Sequence, residues 1–104
     1  MRITTSLNYA TDPQTAATQA RELEAAGVDC IWVPEAYGFD AVSLLGYLAA
    51  STSTVELASG ILNTYSRTPA LLAQTAAGLD ALSGGRFTLG LGASGPQVIE
   101  GFHG

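Results

Sequence analysis

The chain has 104 residues, enough for one small domain, with 47% hydrophobic and 12% charged residues. That balance excludes a disordered polymer, which needs low hydrophobicity and high charge. Four arginines, nine carboxylates and a formal charge of -5 leave no basic surface for nucleic acid or an anionic membrane, and neither is expected as a partner. A single cysteine, Cys30, excludes a disulfide framework, and a single histidine, His103, excludes a histidine-built metal site. No apolar run approaches the roughly 20 residues of a membrane span. The first six residues carry no signal-peptide core, so a cytoplasmic protein is expected.

In chain order, residues 2–7 are β-compatible. Asp12-Pro13 then reads as an N-cap with proline at the first helical position. Ala16, Ala20 and Leu23 follow at helical spacing, and Gly27 is placed to close the helix in a left-handed conformation. Residues 29–33 form a short apolar run stopped by Pro34, the pattern of a strand buried on both faces. After a loop over 35–39, Asp40 caps a helix through Ala50 whose inner face carries Val42, Leu45 and Leu48 or Ala49. Residues 55–60 make a third strand. Thr68-Pro69 repeats the cap-proline device for a helix whose inner face is Leu72, Ala76, Leu79 and Leu82. Gly84-Gly85 ends that helix, and residues 86–91 make a fourth strand.

Strands starting near positions 2, 29, 55 and 86 give repeated β-helix-β units of about 30 residues, which force a parallel sheet with right-handed connections. Four strands and three helices match the first half of an eight-stranded barrel, or a small open sheet. A half-barrel leaves its outer strands as open edges, so self-association is expected. No linker divides the chain, and no helix long enough to follow the fourth strand is visible. Residues 1–104 therefore read as one unit, a fragment truncated after the fourth strand.

Parallel strands place ligands at their carboxyl ends. There the sequence offers Asn8, Tyr9, Glu35, Tyr37, Ser59, Asn63, Thr64 and Ser94. Gly90-Leu91-Gly92-Ala93-Ser94-Gly95 fits the spacing of a dinucleotide-binding glycine loop. Its place after three units, and Pro96 directly behind it, speak against that use. It reads instead as a glycine turn whose amides approach a phosphate or a flat ring, or as a plain turn. Glu35 could orient a cofactor, accept a proton or simply solvate a loop. Gly60 at a strand end suggests a bulge or a close backbone approach to a ligand. Cys30 reads as a buried, inert thiol, Arg67 as a surface arginine, and His103 as part of a disordered end.

The segments Gly27-Val28-Asp29-Cys30-Ile31-Trp32-Val33-Pro34-Glu35, Ser59-Gly60-Ile61, Leu79-Asp80-Ala81-Leu82-Ser83-Gly84-Gly85-Arg86-Phe87 and the run from Leu89 to Gly101 resemble the bacterial luciferase-like superfamily. Within it they are most similar to the deazaflavin (coenzyme F-420)-dependent oxidoreductases related to methylenetetrahydromethanopterin reductase. The resemblance runs the length of the chain but covers only the opening part of a family member. It implies an α/β fold, the N-terminal half of a TIM-type (β/α)8 barrel with four parallel strands and three helices. It also implies hydride transfer between a deazaflavin and an organic substrate. The alternatives are flavin mononucleotide with monooxygenase chemistry, or an inactive half-barrel. By the same resemblance the cofactor-binding residues are Glu35, Ser59, Gly60, Ile61, Ala93, Ser94 and Gly95, with a non-proline cis peptide at Ser59-Gly60 or Gly60-Ile61. Where some relatives carry a histidine proposed as an acid/base, this chain has Ala36, so no catalytic residue is assigned.

Overall fold

A computed structural model describes residues 1–8 and 12–104; Tyr9, counted above among the strand-end residues, lies outside them. The strands β1 (Thr4–Ser6), β2 (Cys30–Val33) and β3 (Glu56–Ser59) alternate with the helices α1 (Pro13–Ala25) and α2 (Ala41–Ser51). Then come β4 (Leu62–Asn63), α3 (Pro69–Ser83), β5 (Phe87–Thr88), β6 (Leu91–Gly92) and a π-helical turn, Gln97–His103.

The helices start where the capping pattern puts them. The Asp12 carboxylate accepts from Thr15 N at 3.0 Å, Asp40 from Ser43 N at 2.9 Å, and the Thr68 hydroxyl from Leu71 N at 3.1 Å. Each satisfies an N–H that has no partner inside the helix. At the other end of α3, Gly84 takes the left-handed conformation with φ 65°, and Gly85 N donates to Asp80 O at 2.8 Å.

The main sheet is parallel in the order β1-β2-β3-β5, with Thr4 opposite Cys30, Cys30 opposite Glu56, and Leu57 opposite Phe87. A second, two-stranded parallel ladder pairs β4 with β6, Leu62 opposite Leu91 and Asn63 opposite Gly92. The third and fourth strands expected from the sequence are thus each broken in two. The breaks fall at Gly60-Ile61 and at Leu89-Gly90, where the chain leaves one ladder and starts the next.

Because successive strand residues point to opposite faces, Ile31, Val33 and Leu57 enter the helix-covered side. They pack there with Ala16, Ala17, Ala20, Leu45, Leu48, Leu72 and Leu79. Each fully buried leucine or isoleucine contributes roughly 1.5–3 kcal/mol. The buried face of α3 departs from expectation, since Leu82 is exposed and Ser83 is buried. The buried Ser83 hydroxyl accepts from Arg86 N at 3.1 Å and donates to Asp80 O at 3.3 Å, so its burial leaves it satisfied. Two further expectations are corrected at the end of the chain. A helical turn does follow the fourth strand, with Val98 buried, and His103 stands edge-on to Phe102 within it.

Two charged side chains stitch the helix ends to the strand starts. Glu24 near the end of α1 accepts on one carboxylate oxygen from Ser53 N, Thr54 N and Val55 N at 2.7–2.9 Å. Partial burial pushes its pKa up, but those three N–H groups and the Thr54 hydroxyl outweigh it and hold the carboxyl below its ordinary value. Arg86 makes five hydrogen bonds to oxygens around the end of α2, the end of α3 and the start of β3. They are Ser83 O (2.6 Å), Thr52 Oγ1 and Val55 O (both 2.9 Å), Ala49 O (2.9 Å) and Thr52 O (3.3 Å). It thereby caps the C-terminus of α2 and fixes the start of β3.

Arg86→Lys keeps the charge but lacks the planar fork, leaving carbonyls at the end of α2 without donors. A loss of about 2 kcal/mol is expected in urea denaturation, and a change below about 0.5 kcal/mol would show that water satisfies those carbonyls equally well.

Candidate active site

The break after β3 is built by close approach. The Ser59 hydroxyl, buried, donates to Gly90 O at 2.8 Å and accepts from Gly90 N at 2.8 Å. A Cβ added at Gly90 would lie 2.0 Å from Ser59 O, so no side chain fits there. One added at Gly60 would lie 2.9 Å from Trp32 Cε3, and one at Gly92 2.9 Å from Ile61 Cδ1. Gly60 and Ile61 are joined by a cis peptide bond, one of the two positions the resemblance implied. The sheet face away from the helices forms a cleft of about 360 Å³ whose walls include Cys30, Trp32, Ala58, Ser59, Ile61 and Gly90. Trp32 is 45% exposed into it.

Burial pushes the Cys30 thiol up, and the Glu56 charge adds to the effect. Cys30 is therefore held as a neutral thiol, in keeping with the inert role read from the sequence. Glu56 itself pairs with Arg2 at the exposed lower end of the cleft.

Glu35, just beyond β2, is enclosed. Arg67 grips it with both arms, Nη1 to Oε1 at 2.7 Å and Nη2 to Oε2 at 2.8 Å. Oε2 also accepts from Ala41 N at 2.7 Å, the first residue of α2, and Oε1 from Asn63 Nδ2 at 3.4 Å. The two side chains are 7% and 11% exposed, so Arg67 is not the surface arginine expected from the sequence. Burial raises the Glu35 pKa, but the Arg67 hydrogen bonds, the Ala41 N–H and the Arg67 charge outweigh it. The carboxyl therefore stays below the usual carboxylate range. Asn63 extends the cluster, its Oδ1 accepting from Ser66 N at 2.9 Å and Ser66 Oγ at 2.7 Å. The loop that follows β4 is thus tied to the loop that follows β2.

Ala93, Ser94 and Gly95 form the turn after β6, with Ser94 in the left-handed region at φ 61°. With Tyr65, Ile99 and Glu100 they line a second cleft of about 290 Å³. Thr64 N donates to Gly92 O at 3.0 Å and joins that turn to the end of β4. Tyr37 and Phe102 meet edge to face, with ring centroids 5.8 Å apart.

The expected site residues therefore share one rim in three settings. Ser59, Gly60 and Ile61 form the break at the first cleft; Ala93, Ser94 and Gly95 line the second; Glu35 lines neither and is locked in its ion pair. Sequence reasoning placed Asn63 on this rim but missed the parts of Arg67, Ser66, Trp32 and Tyr65. The signal for Arg67 was its position: it precedes the cap of α3 in a chain of four arginines, on the rim that carries the buried acid.

Gly90→Ala forces a methyl group into the Ser59 carbonyl and is expected to lose about 3 kcal/mol in urea denaturation. A loss below about 0.5 kcal/mol would show that the break relaxes freely. Arg67→Met strands a buried carboxylate and is expected to lose about 3 kcal/mol at pH 7. The wild-type Glu35 pKa is lower folded than unfolded, so its contribution is full above the unfolded value of about 4.3. It disappears as the pH falls through the folded pKa. The stability gap between wild type and variant should accordingly narrow in acid; a gap independent of pH from 7 to 3 would refute the ion-pair account.

Comparison with known proteins agrees with this layout. The model of the luciferase-like monooxygenase family matches residues 1–104. A Mycobacterium tuberculosis protein named as a coenzyme F-420-dependent oxidoreductase is 42% identical over 106 residues, covering 100% of this chain and 30% of its own length. The 5,10-methylenetetrahydromethanopterin reductase of Methanolobus tindarius is 38% identical over 77 residues, covering 73% of this chain and 24% of the reductase. The solved coenzyme F-420-dependent tetrahydromethanopterin reductase of Methanopyrus kandleri superposes on 98% of the chain and 30% of its own, at 27% identity and a TM-score of 0.91. The chain thus spans less than a third of the length of these relatives, and its arc of strands and helices corresponds to part of a TIM-type barrel. With the family model matched end to end, the chain belongs to the luciferase-like monooxygenase family.

Proposed function

We propose that this chain forms the ring-binding wall of an oxidoreductase that moves a hydride between coenzyme F-420 and a small organic substrate. The observation that carries the reading is the break after β3. It brings Ser59 and Ile61 to a cleft walled by Trp32, Ala58 and Thr88, with the Arg2–Glu56 pair as its charged lining. A neutral, flat ring fits such walls, and the cation that lines the cleft, Arg2, is already paired with Glu56.

The residues that would hold the ring are Ser59, Gly60 and Ile61 on one side and Ala93, Ser94 and Gly95 on the neighbouring turn. When bound, a deazaflavin supplies the hydride chemistry itself. The chain orients the ring by backbone and by the Ile61 side chain, and Ser59 fixes that backbone through Gly90. Glu35 exchanges no proton at neutral pH, because Arg67 and Ala41 N hold it ionised. Its part is to fix the strand ends rather than to touch the ring. No helix among the described residues is long and apolar enough to cross a membrane.

Flavin mononucleotide is the alternative ring, and the same walls accept it. A second reading, self-association of a catalytically inactive half-barrel, draws support from the edge strands β1 and β5 and from the exposed Ile3 and Leu91.

Titrating the full-length protein with coenzyme F-420 and, separately, with flavin mononucleotide separates these readings. Saturable quenching of ring fluorescence by coenzyme F-420 is expected, with a thermal midpoint that rises with its concentration. Binding of flavin mononucleotide alone would move the assignment to the monooxygenase reading. Binding of neither ring, together with sedimentation as a dimer or larger, would replace the proposal with the self-association reading.

A further inference from the structure

We infer that Trp32 is a positioning residue for the bound ring: its indole is the side-chain prop on which the Gly60-Ile61 segment rests. The inference depends on the ring-binding reading given above and adds to Trp32, already a wall of the cleft, a second role that acts through the Gly60-Ile61 backbone.

Trp32 follows the alternation of its strand onto the open sheet face. Its neighbours Ile31 and Val33 are 0% and 1% exposed in the helix-covered core, while Trp32 points the other way and is 45% exposed. The indole is not loose, however. A Cβ on Gly60 would meet Trp32 Cε3 at 2.9 Å, Trp32 Cβ at 3.4 Å and Trp32 Cδ2 at 3.7 Å. The six-membered ring therefore lies directly along the Gly60 backbone, and glycine is needed there because the indole occupies the space a side chain would take.

The other supports of the break come from backbone or from the far side. Gly60 N donates to Val33 O at 2.9 Å, and Leu62 N to Gly90 O at 2.9 Å. Ser59 grips Gly90, and Ile61 packs over Gly92. Those hold the break in the sheet plane and against β6. From β2, the indole is the large rigid side chain beneath it. An aromatic ring suits the task because it is stiff, with two side-chain torsions, and presents a broad apolar surface. A shorter side chain would leave a void into which the segment can sink, and a displacement of about 1 Å at a positioning surface is enough to lose a large part of the rate or affinity.

The test uses the full-length protein and reads affinity for coenzyme F-420 and for flavin mononucleotide by ring fluorescence. It also reads the visible circular dichroism of the bound ring, and the thermal midpoint without cofactor. Trp32→Phe keeps a flat support and should stay within about threefold of wild type. Trp32→Ala should weaken binding roughly tenfold and change the dichroism of the ring that remains bound.

Gly60→Ala, which drives a methyl group into the indole, should also weaken binding roughly tenfold. In the double variant the methyl group has room, so its loss should be no worse than that of Trp32→Ala alone. Leu48→Ala, in the core of α2, controls for general destabilisation, lowering the midpoint while leaving affinity and dichroism unchanged.

Losses from Trp32→Ala and Gly60→Ala that multiply to about a hundredfold would mean that indole and break act independently, and the inference would fall. It would fall equally if Trp32→Ala kept wild-type affinity and dichroism, or if Leu48→Ala reproduced the loss. Failure of the wild type to bind either ring would overturn the ring-binding reading itself, and the inference with it.

Discussion

Gly90 lies against the Ser59 carbonyl more closely than any side chain would permit, and most of the carboxyl rim follows from that approach. With the two backbones this near, one hydroxyl reaches both the N–H and the carbonyl of Gly90. The third and fourth strands are thereby pinned at the point where each leaves the main sheet. They resume as β4 and β6 in a new ladder, which fixes Ile61 over one cleft and the Ala93-Ser94-Gly95 turn over the next. Loss of that clearance would separate the two halves of the rim without disturbing a single helix.

Charge is used sparingly, and its placement follows from how few cations the chain has. Of the four arginines, Arg67 neutralises the buried Glu35, and Arg86 serves backbone carbonyls and the Thr52 hydroxyl. Arg2 pairs with Glu56 in solvent and adds little, as exposed pairs generally do. Arg21 reaches the Thr18 hydroxyl, at 3.4 Å. The two buried roles fall at opposite ends of the strands. At the carboxyl end an ion pair sets the distance between loops, and at the amino end a fork of donors closes a helix.

The architecture was largely legible because local rules and the tertiary layout agree. Asp12, Asp40 and Thr68 cap the helices they were expected to cap, and apolar runs at about 30-residue spacing become parallel strands. The breaks in the third and fourth strands were not legible, because they depend on contact between residues some thirty positions apart, which no local period encodes. Gly60 hinted at a bulge, but only Ser59 and Gly90 together define one. The setting of Glu35 was hidden for the same reason: its partner lies 32 residues on, and nothing local distinguishes an arginine that turns inward from one that stays in water. The exposure of Trp32 was masked by the uniformly apolar run around it, which shows no alternation from which to assign a face.

The Glu24 clamp has a consequence for how the sequence can change. It gathers three backbone amides at the amino ends of the strands, whereas every candidate ligand contact gathers at the carboxyl ends. The amino rim thus carries stabilising contacts free of any ligand role, whereas on the carboxyl rim the Ser59–Gly90 and Glu35–Arg67 contacts stabilise the fold and shape the site together. A lineage carrying this domain can gain or lose stability at the amino rim while the carboxyl rim stays fixed. It can acquire new loops at the working end while the opposite clamp absorbs the instability they bring.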